Sequence, residues 1–100
     1  MTKKTNYKHY DLEERTACFA ERCRDYVKKL PRTISNIEYG KQPIRSSGSQ
    51  AANYIEANEA ETKKDFRYRI RISRKETKES CLWLRLNEPA QQKQEQEELL

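Results

Sequence analysis

Glycine and proline are nearly missing, with 2 and 3 residues in a chain of 100. An antiparallel sheet protein needs a tight turn every ~8–12 residues, so this scarcity sets that class aside. Long apolar runs are absent too. None approaches the ~18–20 residues that span a bilayer, and residues 1–10 carry no apolar stretch of a secretory signal. Histidine occurs once, at His9, well apart from Cys18, Cys23 and Cys81, and there is no C-x-x-C. Structural zinc takes four ligands at suitable spacing, so no metal site is expected. Three thiols cannot all pair, which suits free cysteines in a reducing cytoplasm. No nucleophile sits beside a base, and no glycine loop could grip phosphate. Neither a reaction, a cofactor nor a small-molecule substrate is therefore expected.

Charge is plentiful: 37% of residues are charged against 34% apolar. The dominant residues (Glu, Lys, Arg, Gln, Ala, Leu) are good helix formers, and the class expected is all-α. The length is that of one domain, with a thin core that self-association would complete. Within the net charge of +5, residues 88–100 hold four Glu and one Lys, leaving +8 on residues 1–87. A basic body with an acidic end favours polyanion partners; the plainer reading is a soluble surface.

The stretch Thr62–Leu86 contains no Gly or Pro and shows three faces when wound at ~100° per residue. Phe66, Ile70, Ser73, Thr77, Cys81 and Leu84 form a candidate core stripe. Lys64, Arg67, Arg71, Arg74, Lys75 and Lys78, with Arg85, form a cationic face. Tyr68, Ile72 and Trp83 fall on the remaining surface. Ahead of this helix, residues 1–10 are expected to be a flexible segment and 11–100 a single helical domain. A first helix is expected from Asp11 to about Leu30, with Leu12, Phe19, Cys23, Tyr26, Val27 and Leu30 inward and Pro31 as its stop. Cys18 and Cys23 read as core filler. A second helix is expected from about Gln42 to Asn58, its start reaching back as far as Asn36. Ile44, Gly48, Ala51 and Ile55 would pack tightly on its neighbours. A short fourth helix follows Pro89.

Lines of Arg and Lys neutralise phosphates and give largely sequence-blind, salt-dependent affinity. The cationic face is therefore the candidate RNA or DNA site; the plainer reading is a solvated face partly paired with Glu76 and Glu79. Tyr68, Ile72 and Trp83 read as a subunit interface, with base stacking or completion of the monomer core as alternatives. Glu56, Glu76 and Glu79 read as partners for Arg and Lys across helices, within the chain or buried between subunits, rather than as an acid/base pair.

Several landmarks occur in order: Tyr10-Asp11-Leu12-Glu13, Gln42-Pro43-Ile44-Arg45-Ser46 with Ser49, and Asn53-Tyr54-Ile55-Glu56-Ala57. Lys63-Lys64-Asp65-Phe66, Arg74-Lys75-Glu76-Thr77-Lys78-Glu79-Ser80 and Trp83-Leu84 follow. Together they resemble the 23S ribosomal RNA intervening-sequence proteins over about residues 7–100. The resemblance implies an up-down antiparallel four-helix bundle, a homopentamer, and a gene within an insertion in the large-subunit ribosomal RNA gene or elsewhere in a bacterial chromosome. A related bundle, the accessory variability protein of diversity-generating retroelements, holds nucleic acid on a basic pentameric surface. The chain departs from the family pattern in its fourth helix, which is cut short.

Overall fold

The computed structural model describes residues 7–89 and 93–100. Expectations that fall on residues 1–6 and 90–92, and on the side chains of Tyr7, His9 and Tyr10, lie outside the described residues. All regular elements within them are α-helices: α1 Tyr7–Lys28, α2 Ile34–Asn58, α3 Lys63–Leu86 and α4 Lys93–Leu99.

The sequence delimits α3 well. Thr62 caps it, its Oγ1 accepting the Asp65 N–H at 3.0 Å. The Asp65 carboxylate lies in the first turn, where the helix dipole favours an anion. Helix α1 starts at Tyr7 rather than Asp11 and ends at Lys28. Its last turn tightens through Lys29 N–H to Tyr26 O and Leu30 N–H to Val27 O before Pro31 stops it.

Helix α2 differs most from expectation. It begins at Ile34, and Pro43 lies in its interior, buried, instead of in its first turn. An interior proline removes one backbone bond and costs ~3 kcal/mol. Two features act against that cost. Thr33 caps the helix by accepting the Asn36 N–H at 3.1 Å, and the Pro43 ring itself is out of water. The Ser47 hydroxyl donates to the Pro43 carbonyl.

Helix α2 is the central element, flanked by α1 and α3, which do not approach each other closely among the described residues. Both neighbours run antiparallel to it. Val27 meets Gly40 while Glu13 accepts from Asn58 Nδ2 at 2.6 Å; on the other side Ser46 meets Ser80 while Arg69 donates to Asn53 Oδ1 at 3.1 Å. The α2–α3 seam is polar and close. Ser46 and Ser80 are buried with their hydroxyls 2.6 Å apart, and Ser73 Oγ donates to the Gln50 carbonyl at 3.1 Å.

The apolar core is small and lies near one end. Cys23, Tyr26, Leu30, Leu84 and Leu99 are buried together, with Phe19 and Val27 packed against them. Several expected core residues are not part of it. Leu12 is 43% exposed and Phe66 42%, since each lies on α1 or α3 away from that end. On α2 the stripe of Ile44, Gly48, Ala51 and Ile55 is not the packed face; Ile44, Gly48 and Ile55 are exposed. The buried positions are Asn36, Gly40, Pro43, Ser46, Ser47 and Ala57. Close approach does select small residues, but the seam uses serines whose hydroxyls find partners. On α3 the buried neighbour of the stripe is Ser80 rather than Cys81, which is half-buried. Cys23 is core filler; Cys18 is exposed.

Helix α4 bridges α1 and α3 at this end. Leu99 enters the core, Glu95 pairs with Lys29 at 2.8 Å and Glu98 with Arg22 at 3.5 Å. Gln96 Nε2 donates to the carbonyls of Leu84 and Asn87.

Candidate nucleic-acid interface

The cationic face of α3 follows from helical spacing alone. Arg67, Arg71, Arg74 and Lys78 recur every three or four residues and so form one line. Lys64, Arg67, Arg71, Arg74, Lys75 and Lys78 are all exposed, as is Arg85. From Lys64 to Lys78 the ridge runs about 21 Å at 1.5 Å per residue. Among the described residues none of these side chains makes an ion pair; the four pairs present join Arg22, Arg24, Lys29 and Lys41 to other acids.

Among the described residues Glu76 and Glu79 form no ion pair with these cations. Glu76 accepts from the Ser49 hydroxyl at 3.4 Å, and neither Glu79 nor Glu56 forms an ion pair within the described residues. Within one chain, and among the described residues, these glutamates do not join Arg or Lys across helices as expected. The seam supplies serine hydroxyls closer than any guanidinium, and Arg69, the inward cation of α3, bonds Asn53 instead. The acidic end of the chain is used elsewhere. Glu95 and Glu98 meet cations of α1, so α4 balances charge on α1 and leaves the α3 ridge as it is.

The three residues assigned to an interface have different surroundings. Tyr68 is 54% exposed, with the Arg69 guanidinium 5.6 Å from its ring centroid. Ile72 is half-buried. Trp83 is half-buried and stacks on Tyr39 of α2, centroids 5.9 Å apart and planes 29° from parallel. Trp83 thus has an intramolecular partner across the α2–α3 seam that its place in α3 alone did not reveal.

Sequence reasoning also missed an apolar groove between α1 and α3, lined by residues it had assigned to the core, notably Leu12 and Ile70. Nothing in their spacing distinguishes the wall of a groove from a closed core. Among the described residues no three His, Cys, Asp or Glu side chains gather as around a metal ion. No helix there is long and apolar enough to cross a membrane. Comparison with protein-family models, with curated proteins and with solved structures yields no match.

Proposed function

We propose that this chain is a non-enzymatic four-helix-bundle protein of the 23S ribosomal RNA intervening-sequence type, up-down and antiparallel, that holds RNA or DNA along α3. The observation that carries the reading is the α3 ridge: six cations on one exposed face, none in an ion pair among the described residues. A helix presenting cations in a line displaces counterions from a phosphate backbone and reads little sequence. The family resemblance adds self-association, as a pentamer, in the bacterial cytoplasm. Several copies of the ridge on one particle would raise avidity with no new contact.

Filter binding of labelled ribosomal RNA fragments across a salt series tests the reading. Affinity should fall steeply with salt, by about 0.7–0.9 in log–log slope per phosphate neutralised, and Arg67→Glu with Arg71→Glu should flatten that slope. Weak binding that ignores both salt and these substitutions removes the nucleic-acid role. Light scattering on the same sample reports the subunit number.

A second reading, an oligomeric protein-interaction scaffold with no nucleic-acid role, draws on exposed apolar side chains outside the ridge. Ile34 is 86% exposed, and Tyr68, Leu82 and Leu86 are exposed on α3. Such side chains suit a subunit interface better than a phosphate backbone.

A further inference from the structure

Helix α2 turns an apolar stripe outward. Ile37, Lys41, Ile44, Gly48, Ala51 and Ile55 follow one another at alternating steps of four and three residues, the spacing of a seam that meets another helix. Its three isoleucines are exposed. Helix α4 does not reach this stripe: among the described residues it touches α1 and α3 and not α2. The α2 residues that face the groove between α1 and α3, Gln50 and Tyr54, lie roughly 100–140° around the helix from the stripe.

On the stripe lies a hollow of about 230 Å³, lined by Ile37, Gly40, Lys41 and Ile44 with Val27 and Leu30 of α1. The four α2 residues stand at i, i+3, i+4 and i+7, the outline of a hole that takes one side-chain knob. A matching knob is on the same helix. Ile55 is exposed and lies seven residues after Gly48, while Lys41, in the hole, lies seven before it. With two copies of α2 set antiparallel about a two-fold axis level with Gly48, each Ile55 comes level with the other's hole. The charges match under the same operation. Lys41 and Arg45 precede Gly48, Glu56 and Glu59 follow it, and all four are exposed along one flank of the stripe. Among the described residues their one ion pair is Lys41 with Glu38, at 3.9 Å on the surface.

We infer that a second copy of this chain occupies the hollow, the two α2 helices pairing antiparallel about Gly48 with each Ile55 seated in the other's hole. A surface complementary to itself about one point is what a two-fold contact requires; an unrelated partner has no reason to mirror these spacings. Gly48 and Ala51 keep the middle of the contact slim, so the axes can close toward the lower end of the usual ~8–10 Å. Lys41 and Arg45 meet Glu56 and Glu59 of the other copy, whereas a parallel pair would set like charges together. The inference goes beyond the polyanion reading, which uses α3 and names no surface between copies. A two-fold contact makes pairs and by itself closes no ring of five.

Sedimentation velocity of the full chain over a concentration series should show an even number of copies per particle, the pairs separating at about 10–100 μM. Ile55→Asp should weaken pairing at least about tenfold. Lys41→Glu and Glu56→Lys should each do the same, because a two-fold contact counts every substitution twice. Combining those two restores opposite charges across the contact and should recover most of the pairing, which a misfolded variant would not do. Circular dichroism checks that each variant keeps its helices. A chain that stays monomeric at about 1 mM, indifference to Ile55→Asp, or a double variant no better than the singles overturns the proposal. So does a five-copy particle that Ile55→Asp dissolves, since the stripe would then join copies head to tail. Arg67→Glu with Arg71→Glu, which tests RNA binding, should leave pairing unchanged, so each reading can fail without the other.

Discussion

Asn36 and Glu88 exchange two hydrogen bonds: Asn36 Nδ2 donates to the Glu88 carbonyl at 3.0 Å, and the Glu88 N–H donates to Asn36 Oδ1 at 2.8 Å. The same Nδ2 also donates to the Pro31 carbonyl at 2.9 Å. One buried amide thus ties the α1–α2 connection to the segment after α3.

Asn36→Ala strands several partly buried backbone groups at once. The expected loss is about 2–3 kcal/mol, in the range for unmet buried polar groups, read by urea unfolding. Asn36→Asp keeps the acceptor but sets a carboxylate against two carbonyl oxygens. Its stability should recover as pH falls, because the protonated acid can donate again. A pH-independent loss would show that the clamp does not act through Nδ2.

The two glycines of α2 should respond oppositely to alanine. A Cβ on Gly40 would lie 3.0 Å from Val27 Cγ1, and a β-branched side chain in a helix has little rotamer freedom to yield. Gly40→Ala should cost about 1–2 kcal/mol despite better helix propensity. Gly48 has nothing within 4 Å of the corresponding point, so Gly48→Ala should gain about 1 kcal/mol. Thermal melts of the pair settle both signs.

Alkali should unfold the core by titrating it. Burial pushes the Cys23 thiol up to about 11, outweighing its hydrogen bond to Ser47, and pushes the Tyr26 hydroxyl up to about 12, with Glu95 adding to the rise. Unfolded, these groups release protons near 9 and 10. The folded chain then holds more protons than the unfolded one, so stability is full below pH 9 and declines between 9 and 12. Among the described residues Tyr26 Oη finds no hydrogen-bond partner. Tyr26→Phe should leave neutral-pH stability equal or higher and move the alkaline midpoint upward in circular dichroism.

The boundaries of α3 were legible because Thr62, Asp65 and Pro89 mark them by local chemistry. The start of α2 was not, because Pro43 in isolation reads as a first-turn residue. Only its burial and the Thr33 cap make the longer helix intelligible. Cys23, Tyr26, Leu30 and Leu84 were read correctly as core. Leu12 and Phe66 were not, because helical phase says which way a residue faces and not whether anything covers it. Of the candidate site, the cationic line on α3 could be seen in the spacing of Arg67, Arg71, Arg74 and Lys78. Its lack of ion pairs among the described residues could not, since that depends on where Glu76, Glu95 and Glu98 find their partners.

The chain has a single tryptophan, Trp83, and it stacks on Tyr39 between α2 and α3, while α4 docks through Leu99, Gln96 and two exposed ion pairs. Intrinsic fluorescence therefore watches the seam of the two longest helices, while the last one, among the described residues, makes no ring contact with the indole. Salt strong enough to loosen the Glu95 and Glu98 contacts would peel that segment away without dimming or shifting the emission. Cys23 alkylation would register the same event as newly opened thiol. The two signals parting company would mark the order in which the molecule comes undone.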